Sequence, residues 1–309
     1  MSTSPVKRPD PKPPTFDQLQ IFLTIVEAGS FAGAARKLGR ATSVISYAIA
    51  NLEAQLGLEL FDRHSTKKPL LTDAGRAVLS DARAISLGLG DLLAKARGLI
   101  SGLEAEVALV VDVMLPTSRL VVVLDAFQAA YPTVSLRLHV EALGAVTQLV
   151  LNRTASIGIT GPILLGTDRL ESRQIGAVKL VPVAAPSHPL GQYRGPTTLA
   201  AARKHIQLVL TDRSEMTKDQ DFGVVAVRTW RLADLGSKHA LLLAGVGWGS
   251  MPEPMVSDDI ASGRLLRLDM DQWSSVAYPL RAVHRTDAPP GPAASWLITR
   301  LEEALADGS

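Results

Sequence analysis

The chain contains no cysteine in 309 residues. Disulfides, thiolate zinc sites, thiol nucleophiles and thiol redox sensing are therefore excluded. Neither charge dominates: 32 Lys and Arg against 30 Asp and Glu leave +2 at neutral pH, so any nucleic-acid surface must be local. No uninterrupted apolar stretch reaches the roughly 20 residues that span a bilayer. Residues 1–15 carry five prolines plus Lys7, Arg8 and Lys12, lack the apolar run of a signal peptide, and read as a disordered tail. A cytoplasmic protein with no membrane partner is expected. Catalytic signatures are missing as well. His64, His139, His188, His205, His239 and His284 show no metal-ligand spacing such as His-x-x-x-His. No Gly-x-Ser-x-Gly occurs. Gly245-Val-Gly-Trp-Gly249 follows a helical pattern, lacks the closing spacing of a dinucleotide fingerprint, and reads as a turn into a strand. Neither an enzyme nor a metal or cofactor is expected.

What remains can build well-filled cores, with 47% hydrophobic and 20% charged residues over a length that suits two or three domains. Asp17 to Ala28 has apolar residues at three- and four-residue spacing and closes at Gly29. Ser30 can cap a second helix, Phe31 to Leu38, and Gly39 supplies a turn where positive φ costs little. A third helix starts at Thr42 or Ser43, either of which can be its cap, and turns Val44, Ile45, Ile49, Leu52 and Leu56 inward until Gly57 stops it. Ala35, Gly39 and Ile45 form a small–Gly–β-branched spacing that lets two helices cross closely, so that the second can enter a DNA major groove. Two short strands, around Glu59 to Arg63 and Pro69 to Leu71, flank the basic tip His64 to Lys68 as a wing. Between Phe31 and Arg76 seven basic residues face four acidic ones, a local +3.

Thr72 and Asp73 open a long helix with near-heptad apolar positions at Val78, Ala82, Ile85, Leu89, Leu92, Leu93, Ala96, Leu99 and Ile100. Its partner is a second copy of the same helix or the downstream part of the chain. Beyond Gly102, strand and helix patterns alternate. Strands are expected at 107–111, 134–140, 156–160, 178–185, 206–210, 224–227 and 275–284, and helices after Pro116, at 144–151, 238–244 and 293–305. Such alternation implies a parallel sheet with helices on both faces.

Residues 16 to about 103 resemble the DNA-binding domain and linker helix of the LysR-type transcriptional regulators. The phrases that carry the resemblance are Phe22 with Glu27-Ala-Gly-Ser-Phe31, Ala34-Ala35-Arg-Lys-Leu38, Ser46 with Ile49, Leu52 and Glu53, Leu56-Gly57, Leu60-Phe61-Asp-Arg63, and Leu71-Thr72 with Ala74-Gly75. The rest, to about residue 305, is similar to the family's effector domain at Pro116-Thr117, Ser187-His188-Pro189-Leu190 and Gly245 to Pro252. The resemblance implies an N-terminal all-α winged helix-turn-helix, a long linker helix, and an α/β effector-binding region of two Rossmann-like subdomains similar to periplasmic binding proteins. Mapped here, these are a tail over 1–15, a winged helix-turn-helix over 16–71, a linker or dimerisation helix over 72–103, and an effector domain over 104–309. Within that domain one subdomain covers about 104–180 and 276–309, the other about 181–275. Implied partners are double-stranded DNA, a small-molecule effector of unspecified identity, a second copy joined through the linker helix, tetramers made from two such dimers, and the transcription machinery. This chain departs from the family where Ala41-Thr42-Ser43 stands for a Ser-Gln-Pro type opening and Tyr47 for an Arg, so the family's operator sequence does not carry over.

The expected DNA contacts are Thr42, Ser43, Ser46 and Tyr47 at the start of the recognition helix, where hydroxyls meet phosphates or base edges and Tyr47 can touch a thymine methyl. Arg63, Lys67 and Lys68 on the wing are expected on phosphates, with Arg36 and Arg40 as further candidates. Ligands of open α/β sheets sit beyond the carboxyl ends of the strands. That places Thr117, Ser118 and Arg119 at one strand-to-helix joint and Thr160 and Gly161 at another strand end as candidate effector contacts. Arg119 suits a carboxylate ligand or a surface ion pair, and Trp248 suits the cleft lining or the core. A solute-binding protein or a small-molecule enzyme using the α/β region is the alternative reading.

Overall fold

A computed structural model describes residues 12–62, 69–162, 167–193, 197–211, 214–217, 220, 222–270 and 275–306. The expected tail lies outside them up to residue 11, as does the wing tip over residues 63–68. Contacts divide the chain into two units, Met1–Arg97 and Gly98–Ser309.

In the first unit α1 (Phe16–Ala28), α2 (Phe31–Leu38) and α3 (Thr42–Leu56) each end on a glycine in the left-handed region: Gly29, Gly39 and Gly57. These are the C-terminal stops that a Cβ would strain. Thr15 opens α1 with a reciprocal capping box to Gln18, and the Ser30 hydroxyl accepts from the Gly33 N–H at 3.0 Å. The cap of α3 is neither Thr42 nor Ser43. Ala41 holds that position without a side-chain hydrogen bond, so both hydroxyls stay outside capping. Ile21, Phe22, Ile25, Ala34, Ala35, Ile45, Ile49 and Leu52 form the core, joined by Leu60 and Phe61. The Phe61 ring meets Phe22 and Phe31 edge-on, each at 5.5 Å. Strands β1 (Phe61–Asp62) and β2 (Leu70–Leu71) pair antiparallel, giving the wing its base. Helix α4 (Asp73–Ile100) then leaves the wing.

The second unit is built on one mixed sheet. Its strands are β3 (Glu106–Asp112), β4 (Ser135–Glu141), β5 (Ile157–Thr160), β6 (Leu170–Ala184), β7 (Gln207–Leu210), β8 (Thr229–Leu232), β9 (Trp248–Pro252), β10 (Leu266–Arg267) and β11 (Val276–Arg285). They run in the order β4-β3-β5-β11-β6-β9-β7-β8, with β10 on β6. Parallel pairing holds within β4-β3-β5 and within β9-β7-β8. The long strands β6 and β11 pair antiparallel to each other and join the two parallel groups. The all-parallel expectation therefore holds for each group and fails at the junction. There the chain crosses from one group to the other and back, which forces opposite directions. Helices α5 (Thr117–Ala130), α6 (Gly144–Leu151), α7 (Leu199–Ala202), α8 (Leu235–Leu243), α9 (Glu253–Ala261) and α10 (Pro292–Ala306) complete the unit. The Glu104 carboxylate accepts from the Ala293 and Ala294 N–H groups at 3.0 and 3.1 Å, so it caps α10 from far away in sequence. Among the described residues no helix is long and apolar enough to cross a membrane.

Among the departures from expectation are β6, which begins at Leu170 instead of 178, the unforeseen elements α7, β8 and β10, and the two that follow. Residues 224–227 are not a strand. The Gln207 side chain takes the Val225 and Ala226 N–H groups at 2.9 and 3.0 Å and gives its own N–H to the Gly223 carbonyl at 2.8 Å. A side chain thus satisfies the backbone that a ladder would have used, and pairing resumes only at β8. Helix α9 has no counterpart in the expected elements, because Pro252 and Pro254 obscure its helical spacing, although Pro is well tolerated in a first turn.

Candidate functional site

The first candidate site is the outer face of α3. Ile45, Ile49 and Leu52 are buried, and the same helical period turns Thr42, Ser43, Ser46 and Tyr47 to solvent. Tyr47 is 70% exposed. Val44 is exposed beside them, although sequence spacing assigned it to the inner stripe. It adds an apolar contact suited to a thymine methyl. Ala34 and Ala35 are buried where α2 meets α3, which leaves room for the close crossing. Of the nearby cations, Arg36 is exposed and forms no ion pair among the described residues. Lys37 pairs with Glu27 at 2.7 Å. Arg40 makes a bidentate contact to Asp17 at 2.7 and 2.8 Å, and that guanidinium holds the Asp17 carboxyl below its ordinary value. A phosphate must compete with Asp17 for Arg40. Arg63, Lys67 and Lys68 lie outside the described residues.

The wing is anchored by Glu53, which has no role assigned from sequence, and by Thr72, the expected cap of the long helix. The Glu53 carboxylate is buried and accepts from the Leu60 and Phe61 N–H groups at 2.8 and 3.3 Å. The Thr72 hydroxyl accepts from the Gly75 N–H at 2.9 Å and donates to the Glu59 carbonyl at 2.6 Å, so one side chain caps α4 and ties it to the segment that leads into β1. Gly75 lies against that segment: a Cβ there would stand 2.1 Å from the Leu60 carbonyl oxygen. This close approach is the physical reason for glycine in the Leu-Thr-x-Ala-Gly start.

The second candidate site is a cavity of about 230 Å³ in the second unit. Met114 and Pro162, just past β3 and β5, lie on one side, and Gln207, Leu210 and Lys238 on the other. Tyr278 of the joining strand β11 also lines it. This is the region beyond strand ends that open α/β sheets use for ligands. Beneath it the Tyr278 hydroxyl donates to Asp112 at 2.9 Å, and the Met114 N–H donates to the same carboxylate, also at 2.9 Å. Burial pushes the Asp112 carboxyl up to about 6, against the lowering effect of hydrogen bonds from the Met114, Leu143 and Gly161 backbone and from Tyr278. Burial and the Asp112 carboxylate push the Tyr278 hydroxyl well above its ordinary value. Leu143 lines the cavity at φ +50°, a strained conformation for a side-chain-bearing residue.

The candidate effector residues do not converge on this cavity. Thr117 is exposed at the first turn of α5, whose cap is Pro116 with no side-chain hydrogen bond. Ser118 and Arg119 line a separate, wider depression of about 960 Å³ together with Lys179 and Glu253. Arg119 makes no ion pair among the described residues. Thr160 is fully buried with its hydroxyl unpartnered. Gly161 is where the Tyr278 hydroxyl packs, and a Cβ would stand 2.0 Å from that oxygen. Trp248 is a core side chain, at 0% exposure, with its indole N–H donating to the Ala202 carbonyl at 3.1 Å. Its neighbours Leu190, Ala201, Ala226 and Met270 make a satellite core, so of its two expected places Trp248 takes the core and is removed from the candidate effector contacts. Gln207 and Lys238 line the cavity and are not among the contacts expected from sequence. The available signals were a polar residue inside an apolar strand run and a lysine in helical register with Leu235 and Leu242. His188 is structural: its Nδ1 accepts from the Leu190 N–H at 3.2 Å.

Comparison with known proteins agrees with the fold and with its division into two units. Residues 16–76 match the family described as bacterial regulatory helix-turn-helix protein, lysR family, and residues 101–306 match the LysR substrate binding domain. The chain is similar to the probable HTH-type transcriptional regulator YhaJ of Escherichia coli K12, at 29% identity over 93% of this chain and 95% of the relative. It is also similar to the HTH-type transcriptional activator AllS of Klebsiella pneumoniae, at 30% identity over 81% and 93%. In fold it resembles a mutant of OxyR from Corynebacterium glutamicum, with TM-score 0.53, 21% identity and coverage of 96% and 94%. It likewise resembles full-length LysG of the same organism with bound effector Arg, with TM-score 0.50, 18% identity and coverage of 95% and 98%.

Proposed function

The chain belongs to the LysR family of transcriptional regulators, and from that premise we propose that it binds an operator through the exposed face of α3 and reads a small molecule in the cavity beside Tyr278. The observation that carries the DNA part is the segregation on α3, with Ile45, Ile49 and Leu52 in the core and Thr42, Ser43, Ser46 and Tyr47 together in solvent. Ser46 and Tyr47 meet base edges or phosphates, while Arg36 and the wing cations Arg63, Lys67 and Lys68 meet phosphates. Two copies joined through α4 bind inverted half-sites, and two such dimers form the tetramer. The effector acts by population shift: it favours whichever state of the α/β unit it binds more tightly, and that preference is transmitted to operator binding. Effector and DNA are the ligands of this cycle, which runs in the cytoplasm and uses no metal or prosthetic group. The bound regulator then contacts the transcription machinery.

A mobility-shift titration with the DNA upstream of the chain's own gene tests the reading. The Ser46→Ala/Tyr47→Ala variant loses specific retardation, since each good base contact contributes about 1–3 kcal/mol of discrimination. The Arg63→Ala/Lys67→Ala/Lys68→Ala variant keeps its sequence preference but flattens the salt dependence by roughly three units of slope. Full specific affinity in both variants would refute the interface.

A further inference from the structure

We infer that the cavity beside Tyr278 selects a small apolar monoanion, a carboxylate on an aliphatic or aromatic body, and that the Lys238 ammonium meets its charge. The inference rests on the reading of this cavity as the effector site and adds the ligand class. Most of the wall is apolar, with Leu143, Leu180, Leu208, Phe222 and Val276 facing the space. At about 230 Å³ it lies below the usual range for drug-sized ligands, so the occupant is small.

The polar groups on the wall differ in what they have left to offer. Gln207 spends both ends of its amide on the 223–226 backbone. The Tyr278 proton is committed to Asp112. Lys238 is 4% exposed, and its Nζ donates to the Ser250 carbonyl at 2.7 Å. An ammonium carries three donors, so two remain without an acceptor among the described residues, and none of the described carboxylates pairs with it. Burial lowers this group to about 8, which still leaves it mainly cationic at neutral pH. A buried cation without a counter-ion is costly, and the cost is offset when an anion arrives. A neutral ligand leaves the cation unmatched, which is how an unpaired charge discriminates between ligands. Among the described residues Lys238 is the cation on this wall, and one ammonium matches a single negative charge.

The test uses the full chain and two matched series: benzoate, phenylacetate, hexanoate and octanoate against their primary amides. Binding is read by thermal shift and calorimetry in wild type and in Lys238→Met, which keeps the side-chain volume. At least one carboxylate raises the melting temperature and binds about tenfold or more tightly than its amide, and Lys238→Met abolishes that preference. Should that variant fail to fold, the Lys238 Cε–H resonance in selectively labelled wild-type protein moves with the carboxylate and stays in place with the amide. Equal binding of acid and amide, an unchanged preference in the variant, or an unmoved resonance overturns the charge selection and leaves the cavity standing as an effector site. Binding by neither series overturns both.

Discussion

Asp112 is where a single residue's chemistry reaches furthest. Its carboxyl lies under the cavity at 1% exposure, gathers backbone N–H groups from Met114, Leu143 and Gly161, and accepts the Tyr278 proton. Four hydrogen bonds favour the ionised form, yet desolvation outweighs them and the group titrates near 6 rather than 3.8. The sign of the consequence follows from proton counting. Between those values the folded state binds more protons than the unfolded chain, so this residue's contribution to stability falls as pH rises through the window. Below about 4 the cost is absent, and above about 6 it is complete, of order 3 kcal/mol. Asp112→Asn removes the titration. It also introduces a fixed penalty from amide N–H groups facing other donors, so the level of stability is uninformative and the slope decides. Urea unfolding between pH 4 and pH 7 should show the wild type losing roughly 2–3 kcal/mol relative to the variant. Parallel pH profiles for the two proteins would contradict the assignment.

At the scale of elements, the three helices of the first unit were legible because local signals and tertiary packing agree. Gly29, Gly39 and Gly57 stand where left-handed stops are required, and apolar spacing marked the buried faces. Legibility failed where a distant side chain replaced a local rule. Residues 224–227 have strand composition, but Gln207 claims their backbone, and no local pattern records that bond. The start of α3 has two good capping residues, Thr42 and Ser43, yet Ala41 takes the position and leaves both hydroxyls exposed. The Gln207 account makes a prediction about the segment it holds, which includes Gly223 on the cavity wall. Gln207→Leu preserves bulk in β7 but abandons three hydrogen bonds, a loss of about 1–3 kcal/mol concentrated in that loop. Hydrogen exchange should accelerate at Val225 and Ala226 while the amides of β3 and β5 keep their protection. Unchanged exchange at those two positions would mean the loop is held by other contacts.

The whole molecule was readable in outline, and the proposed ligand site was not. Charged residues are rarely buried, and nothing in the sequence around Lys238 marks it as an exception, so the expected ligand contacts are hydroxyls at strand ends instead. Trp248, in a glycine-rich turn, gave no sign that its indole would reach Ala202 across the fold. The heptad of α4 was plain, and the structure shows how it is divided. Val78, Leu79 and Ala82 are absorbed by the core of the first unit, whereas Ile85 and Leu92, one heptad apart, are 51% and 61% exposed. Large apolar side chains repeated at heptad spacing and left in water are the pattern that a second helix buries. Two DNA-binding units joined this way act on paired half-sites with an effective concentration that separate units lack. Ile85→Asp/Leu92→Asp places charges at the centre of that stripe and should leave the helix itself intact. Sedimentation equilibrium at micromolar concentration should then give the monomer mass, with circular dichroism unchanged. Affinity for DNA carrying two inverted half-sites should fall by roughly a hundredfold, and affinity for a single half-site should barely move. An unchanged mass would assign the stripe to some other surface and leave the proposed inverted-repeat operator without a structural cause.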